Sequence, residues 1–313
     1  MGEKKSVLVF HYVMVYIITG MTYFFNKKAV ATIHPMYVIA IRYIIGGIMM
    51  FLFVRVQGGY IRRPRKREIF SALFIGIFLF ITGAGFTTIG LQYTDSYLTS
   101  LITSSIPLMV VCFDALLFRK RPKLMSILGV IIGMCGVTAL MYDGTSVGFE
   151  ANVGFIFILL GAASWSFASS IAHSIPVHEH PLVTSGMRML FSGIICFFIA
   201  VCIAGVPSVA FSETTVESIW SMAFLAVVGS IAFNSYSYLI QIRSAQHIST
   251  YALVNPVIAI LMGLVLGNEE AVPYLWLGMT LTLFGLLIHF YGERLLHGIT
   301  HRLARKNGRA NIL

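Results

Sequence analysis

Apolar runs of about 20 residues alternate with short polar connections along the whole chain. Each run is long enough to cross the roughly 30 Å hydrocarbon core of a bilayer as an α-helix. The pattern predicts an all-α polytopic membrane protein with ten transmembrane helices. Their predicted bounds are 7–29, 36–56, 69–90, 96–118, 124–142, 153–173, 182–204, 218–239, 249–267 and 274–291.

The composition supports this reading and excludes several classes of protein. Hydrophobic residues make up 58% of the 313 residues and charged residues only 11%, whereas soluble domains carry about 25% charged residues. The short connections leave no room for a sizeable aqueous domain. The sequence contains no nucleotide-binding P-loop, so primary pumping by this chain alone is excluded.

Lysine and arginine fall on alternate connections, which predicts the orientation. With the N-terminus inside, the predicted outer connections hold only Lys27 and Lys28, and the inner ones hold most of the other basic residues. We therefore expect a multi-pass protein of the cytoplasmic membrane, with both termini and the basic tail 292–313 in the cytoplasm. The basic clusters are interpreted as contacts with anionic lipid, and no nucleic-acid partner is expected.

One pattern occurs twice. Residues 34–47 and 180–193 both contain His-Pro, an arginine seven residues after the proline and a glycine five residues after the arginine. Such matched spacing suggests a duplicated chain. Further pairs at a constant separation of 149 residues are Gln92 and Gln241, Pro107 and Pro256, Gly129 and Gly278, and Gly136 and Gly285.

The polar, glycine-containing stretch 143–152 is the predicted linker between the two copies. It separates a first five-helix repeat, 7–142, from a second, 153–291. Because five is odd, the second repeat must cross the membrane in the opposite sense to the first. Inverted repeats are a transporter architecture, with the substrate site near the midplane where the halves meet.

Arg42 and Arg188 stand out because arginine is unfavourable inside an apolar helix. Each lies seven residues past a helix-starting proline, about 10 Å along the helix at 1.5 Å per residue. One interpretation is attraction of a carboxylate in a central cavity, which suits the bidentate geometry of arginine. The other is a scaffold role, in which each arginine extends to the near interface or binds carbonyls at a helix end.

Polar side chains are dense in the third, fourth, eighth and ninth predicted spans. Asn234, Tyr238 and Gln241 share one helical face at i, i+4 and i+7. Such a face predicts either a water-filled cavity or hydrogen bonds between helices. The other candidate substrate-binding residues are Gln92, Tyr97, Ser100, Thr103, Trp165, Tyr251 and Asn255. Pro107 and Pro256 are predicted kinks that could bend during gating.

The sequence predicts no metal site and no cofactor. His178-Glu179-His180 lies in a short loop with no third ligand nearby, and a paired acid and base for catalysis is not found. No carboxylate falls near the centre of a span. That favours facilitated export or exchange, or a proton route that the sequence does not reveal.

Two series of motifs then resemble the EamA domain of the drug/metabolite transporter superfamily. The first combines the stretch 89–102 with Pro107-Leu108 and Leu128-Gly129-Val130, and the second runs from residue 252 to residue 278. Trp165 is similar to the tryptophan that opens such domains. The resemblance covers about residues 8–291. In one departure, the fourth helix ends Leu117-Phe118-Arg119-Lys120 where the family usually has leucine-glycine-glutamate.

The resemblance implies a ten-helix carrier, usually an exporter of amino acids or related metabolites. The expected function is export of a small metabolite by alternating access, and the chain is not expected to be an enzyme. A broad hydrophobic-drug efflux carrier and a membrane-embedded lipid-modifying enzyme are the alternatives. The expected partners are a small-molecule substrate and the lipid bilayer, and the expected state is a monomer or homodimer.

Overall fold

A computed structural model of the chain describes residues 5–58, 62–119, 121–140, 153–172, 174–206, 213–242, 251–271 and 273–310. The described residues are helical, with short connections and no strands. This confirms the predicted all-α class. The predicted linker 143–152 lies outside the described residues.

Eight of the described helices are long and apolar enough to cross a membrane, and two shorter helices are also apolar. We number the helices in chain order: α1 Ser6–Ala29, α2 Pro35–Val56, α3 Lys66–Gly90, α4 Ser96–Phe118, α5 Leu124–Leu140, α6 Val153–Ile171, α7 Pro181–Ala204, α8 Val216–Tyr236, α9 Tyr251–Leu266 and α10 Leu275–Glu293. Helix α8 continues to Ile242 and α10 to Ala310. The shorter pair is α5 and α9, so the count of ten spans stays a prediction.

Four helices contain π-helical turns, which interrupt the regular i→i−4 hydrogen bonds. These turns are Met14–Ile18 in α1, Ile77–Ala84 in α3, Leu225–Gly229 in α8 and Leu261–Leu266 in α9. Such turns are frequent at functional sites. Helix α4 is instead divided at residues 104–105, and Pro107 stands in the first turn of its second segment.

Helices α2 and α7 pack closely because glycine stands at the contact. A methyl group on Gly47 would lie 2.8 Å from the backbone nitrogen of Leu190 and 3.0 Å from the Gly186 carbonyl oxygen. On Gly193 it would lie 2.7 Å from the nitrogen of Ile44 and 3.0 Å from the Ala40 oxygen. The two helices therefore cross backbone to backbone and antiparallel.

This crossing is reciprocal. Adding 146 to residue numbers 40, 44 and 47 gives 186, 190 and 193, and the same shift relates His34-Pro35 to His180-Pro181. Position 47 contacts 186 and 190, while 193 contacts 40 and 44. Equivalent positions thus exchange contacts, as they do across a two-fold axis perpendicular to both helices.

Helices α5 and α10 repeat this arrangement with the separation of 149 residues. A methyl group on Gly129 would lie 2.6 Å from the Gly285 oxygen, and one on Gly136 would lie 2.8 Å from the Gly278 oxygen. Because 278 and 285 are 129 and 136 shifted by 149, the contacts are again reciprocal and antiparallel.

At the predicted outer end, a carboxylate joins the two predicted repeats. Glu269 accepts hydrogen bonds from the Ser96 nitrogen at 3.1 and 3.2 Å and from its hydroxyl at 3.0 Å. It therefore satisfies backbone donors that the start of α4 leaves free. Lys27 donates to the Thr94 carbonyl at 2.7 Å. Burial raises the pKa of the adjacent Asp95, and the Glu269 charge raises it further.

At the predicted inner end, an ion-pair network joins the connection before α3 to the one before α7. Arg62 donates to both carboxylate oxygens of Glu68, at 2.9 and 2.5 Å, and its Nε lies 3.4 Å from Glu179. The ring of buried His178 lies 3.1 Å from the Arg62 carbonyl oxygen. On the same side, Asp114 accepts a hydrogen bond from Ser170, which joins α4 to α6.

Candidate transport cavity

A cavity of about 150 Å³ lies between the helices. Residues from α1, α2, α3, α4, α6, α8 and α9 line it, and α5, α7 and α10 contribute none of its described lining. The lining residues are Val15, Thr19, Thr22, Tyr23, Asn26, Arg42, Tyr43, Ala84, Thr87, Thr88, Thr103, Ile106, Gly161, Trp165, Phe233, Tyr236, Tyr251 and Asn255.

Helix α1 contributes a continuous polar face to the cavity. Thr19, Thr22, Tyr23 and Asn26 occupy positions i, i+3, i+4 and i+7, which fall on one side of a helix. The Thr19 hydroxyl donates to Asn255 Oδ1 at 2.9 Å. Across the cavity, the Thr103 hydroxyl donates to the Tyr23 hydroxyl at 2.8 Å. These bonds join α1 to α9 and α4 around the same space.

Two buried polar atoms of the lining residues have no hydrogen-bond partner in the structure. The Asn26 amide nitrogen donates to the Thr88 hydroxyl at 2.9 Å, which fixes the amide, and its Oδ1 has no partner. Arg42 Nε is likewise buried without a partner. A buried polar group without a partner is unfavourable by about 1–3 kcal/mol. A solute with complementary groups would relieve that penalty.

Arg42 is the one charged residue among the described lining residues. Its guanidinium carbon lies 5.2 Å from the centre of the Tyr43 ring, within the range of a cation–π contact. Gly229 of α8 leaves room beside it, because a methyl group there would lie 3.4 Å from a guanidinium nitrogen. The cavity therefore presents positive charge with no carboxylate in its described lining.

An aromatic wall completes the cavity. The Phe233 ring packs edge-on against Phe80 at 5.3 Å, and the Trp165 ring does the same at 6.1 Å. Tyr236 and Tyr251 meet edge to face at 5.8 Å. Such rings give a large apolar contact surface for a solute, and the tyrosines add hydroxyl groups. The geometry suits a small amphipathic solute with an anionic group.

The structure brings five of the sequence-predicted residues together around this cavity: Arg42, Thr103, Trp165, Tyr251 and Asn255. They come from α2, α4, α6 and α9, and their membership of a substrate site stays a prediction. The polar spans noted in the sequence are the third, fourth, eighth and ninth. The cavity is lined in addition by residues of α1, α2 and α6.

The other predicted residues lie outside the cavity lining. Fully buried Tyr97 donates through its hydroxyl to the Glu270 carbonyl oxygen at 2.6 Å, and Ser100 is buried with its hydroxyl oxygen unpartnered. Gln92 is exposed, and Asn234 is half-buried. Outside the lining are also Tyr238, Pro107, Pro256 and Arg188.

Tyr238 and Gln241 lie in α8, where the ring of Tyr238 packs on His11. The side chain of Gln241 falls outside the described part of the chain. Arg188 lies on α7, and its Nε is buried without a partner. Pro256 stands inside the helix Tyr251–Ile260.

Sequence reasoning did not select the polar face of α1, although a clear signal was present. The positions 19, 22, 23 and 26 have the same helical spacing as the face noted in the eighth span. On α8, the residues that line the cavity are Phe233 and Tyr236. Aromatic residues of this kind occur throughout apolar spans, so their identity alone does not orient a helix.

Comparison with known proteins identifies a family and several relatives of this chain. The sequence profile of the EamA-like transporter family matches residues 7–142 and 152–291. An uncharacterized inner membrane transporter of Escherichia coli strain K12, YedA, is 31% identical over 282 residues, covering 90% of this chain and 89% of that protein. The uncharacterized transporter YoaV of Bacillus subtilis is 20% identical over 281 residues, covering 89% and 95%.

A solved crystal structure shares the fold, with a TM-score of 0.65 and 18% sequence identity. The similarity covers 94% of this chain and 99% of that one. The match of the family profile over most of the chain, the similarity to inner membrane transporters and the apolar helices together identify a multi-pass membrane transporter. The chain belongs to the EamA-like transporter family.

Proposed function

We propose that the chain exports a small metabolite, an amino acid or a related compound, across the cytoplasmic membrane by alternating access. The observation that carries this proposal is the cavity that holds one cation, Arg42, beside the unpartnered oxygen of Asn26 and an aromatic wall. A carboxylate would pair with the guanidinium, an ammonium or hydroxyl group could donate to Asn26, and an apolar side chain would contact the rings.

The proposed mechanism needs two halves that rock against each other around this cavity. Two observations support such halves, 7–142 and 153–291. The family profile matches the chain in two segments, and the α2–α7 and α5–α10 contacts are reciprocal under shifts of 146 and 149 residues. Because both crossings are antiparallel, the axis that relates the halves would lie in the membrane plane, as in inverted repeats.

The distribution of basic residues supports cytoplasmic termini, and this orientation assigns the two ends of the protein to the exterior and the cytoplasm. With that orientation, Lys27 and Asp95 lie at the exterior and the Arg62 network lies in the cytoplasm. At each end of the protein, the segments that connect the helices contact one another. Such contacts can close the exterior end and the cytoplasmic end in turn. The proposed state is a monomer or homodimer that needs no cofactor.

Broad efflux of hydrophobic drugs is the alternative within transport. The aromatic wall would accept such compounds, but Arg42 would repel the cationic ones. The predicted selectivity is therefore for anionic or zwitterionic solutes. A lipid-modifying enzyme would need a reacting acid and base, and no carboxylate is among the described lining residues.

The experiment that tests the proposal is a metabolite profile of the medium from cells that express the chain, against cells with an empty vector. Cells with Arg42→Gln, at matched membrane abundance, provide the impaired control. We expect one or a few carboxylate-bearing metabolites to accumulate outside cells with the wild-type protein only. An unchanged profile together with increased tolerance of many dyes would instead support drug efflux.

A further inference from the structure

The geometry points to a proton-binding site at His11, in the contact between α1 and α8, that couples inward proton movement to export of the substrate. This inference rests on the proposed export function and adds its energy source. His11 lies six residues into the helix that begins at Lys5, about 9 Å along it at 1.5 Å per residue. It is therefore within the apolar part of α1.

The ring of His11 makes specific contacts with α8. Its Nδ1 lies 2.9 Å from the hydroxyl oxygen of Ser235, which is fully buried. The ring centre lies 4.3 Å from that of Tyr238, with the planes tilted by 33°. These contacts fix the imidazole between a hydroxyl group and an aromatic face. Ionisable residues at such depth mark ion and proton pathways in membrane proteins.

The side chains described next to His11 include a group of tyrosines. Tyr238 packs on its ring, and Tyr12 and Tyr16 of α1, Tyr236 of α8 and Tyr251 of α9 belong to the same cluster as Tyr238. Within residues 6–26, 218–242 and 251–266 the sequence has no Asp, Glu, Lys, Arg or Cys, and His11 is the one histidine. The nearest fixed charge that the cavity presents is Arg42 on α2. Within these three segments His11 is therefore the side chain whose ordinary pKa lies between pH 5 and 8; Arg243 and His247, in the connection 243–250, lie outside the described residues.

The site is adjacent to the cavity. Val15, one turn after His11, lines it, and Tyr236, the neighbour of Ser235, lines it as well. Along α1, the imidazole is thus about one helical turn, 5.4 Å of rise, from a residue that lines the cavity. The opposite end of α1 from His11 leads to Lys27, at the predicted exterior.

Protonation changes the energy of the contact in a definite direction. His11 is half-buried in this contact; burial disfavours a charged imidazolium, whereas water stabilises it. Neutral His11 therefore favours packed α1 and α8, and protonated His11 favours their separation, which admits water at the predicted cytoplasmic end. The two helices belong to different proposed halves, so this contact opens when the halves rock.

The cycle balances one proton against one substrate. Neutral imidazole takes a proton from cavity water while the cavity faces outward, and the α1–α8 contact then opens to the cytoplasm. The imidazolium gives that proton to cytoplasmic water, and the substrate enters the cavity. Neutral His11 restores the contact, and the substrate leaves to the exterior. One proton has moved inward for each substrate moved outward.

The first test follows the proton itself. Protein with nitrogen-15 in its histidine rings is placed in lipid nanodiscs, and the His11 signals are assigned by their loss in His11→Asn. We expect them to titrate between about pH 5 and 8, and Ser235→Ala to move the midpoint. Signals of His11 that stay constant from pH 5 to 9 would overturn the inference, whatever the substrate is.

The second test measures coupling in proteoliposomes with a trapped pH dye and labelled L-phenylalanine as the probe. We expect His11→Asn and His11→Gln to keep exchange of the probe across the membrane. In both variants, proton movement and gradient-driven accumulation of the probe should fall at least 10-fold. The matched control is His180→Asn, at the start of α7, with both activities retained. Normal proton movement in the His11 variants would refute the coupling role. Absence of probe flux in the wild type would instead count against this probe as a substrate, and the titration would still decide on His11.

Discussion

Helices α2 and α7 begin alike and pack against each other reciprocally, but only one of them contributes to the cavity. Arg42 of α2 lines it, and no residue of α7 does. The glycines that let the helices cross, Gly47 and Gly193, are equivalent in position and in contact. The contact between α2 and α7 is therefore symmetric, whereas the lining of the cavity is not.

This difference shows what the duplication supplies. A two-fold arrangement places both arginines at equal depth, one from each face of the membrane, because α2 and α7 run antiparallel. A cavity displaced toward one face includes one arginine and leaves out the other. The lining residues near Arg42 on α1 and α3, such as Asn26 and Thr88, lie in the predicted outer half, and Tyr236 and Tyr251 extend the lining toward the predicted inner half.

The largest predicted effect separates the two arginines. Arg42→Gln removes the one charge of the described lining, and a hydrogen bond to a charged group is worth about 1.5–3 kcal/mol. We expect kcat/KM for the exported metabolite to fall about 10- to 100-fold. It is measured from initial rates in proteoliposomes. Arg188→Gln, at equal membrane abundance, should stay within about 3-fold of the wild type. Equal losses in both variants would assign the two arginines one shared role.

The distinction between Arg42 and Arg188 could not be read from the sequence. Their spacing from proline and glycine is the same, so composition and periodicity predict equal roles. The helices themselves were predictable, because apolar runs of this length dictate them. What decides the lining is the rotation and tilt of each helix, which depend on contacts such as Gly47 against Leu190. The candidate residues Thr103 and Asn255 were selected by polarity, but so were Asn234 and Gln92, outside the lining.

An intermediate effect tests the symmetric part of the comparison. Gly47→Ala and Gly193→Ala each place a methyl group within 3.0 Å of backbone atoms of the facing helix. Overpacking of this kind destabilises by about 1–3 kcal/mol. We expect both variants to lower the melting temperature in detergent, and by similar amounts because the contacts are equivalent.

The matched control for these variants is Gly85→Ala in α3. A methyl group there would meet the flexible end of Met36 at 3.4 Å and no backbone atom closer than 3.6 Å. Its melting temperature should equal or exceed that of the wild type, since alanine favours a helix more than glycine does. Clearly unequal losses at Gly47 and Gly193 would show that the crossing is symmetric in sequence but not in energy.

The smallest predicted effect lies where the two helices start. The side chain of His34 accepts a hydrogen bond from the Met36 nitrogen at 3.3 Å and so caps α2, while that of His180 does not cap α7. Burial lowers the pKa of His34 below its usual 6.5. The folded protein thus binds fewer protons here than the unfolded chain, and the stabilisation is complete above pH 6.5 and lost as the pH falls through the lowered pKa.

Replacing His34 by asparagine keeps a capping side chain and removes the titration. We expect His34→Asn to reduce the loss of stability between neutral and acidic pH by no more than about 1 kcal/mol, the typical contribution of an N-cap, and so to flatten the fall in melting temperature over that range. His180→Asn should leave that pH dependence as it is in the wild type. A larger change at His180 would mean that the histidine of the second copy, and not that of the first, stabilises its helix through the neutral imidazole.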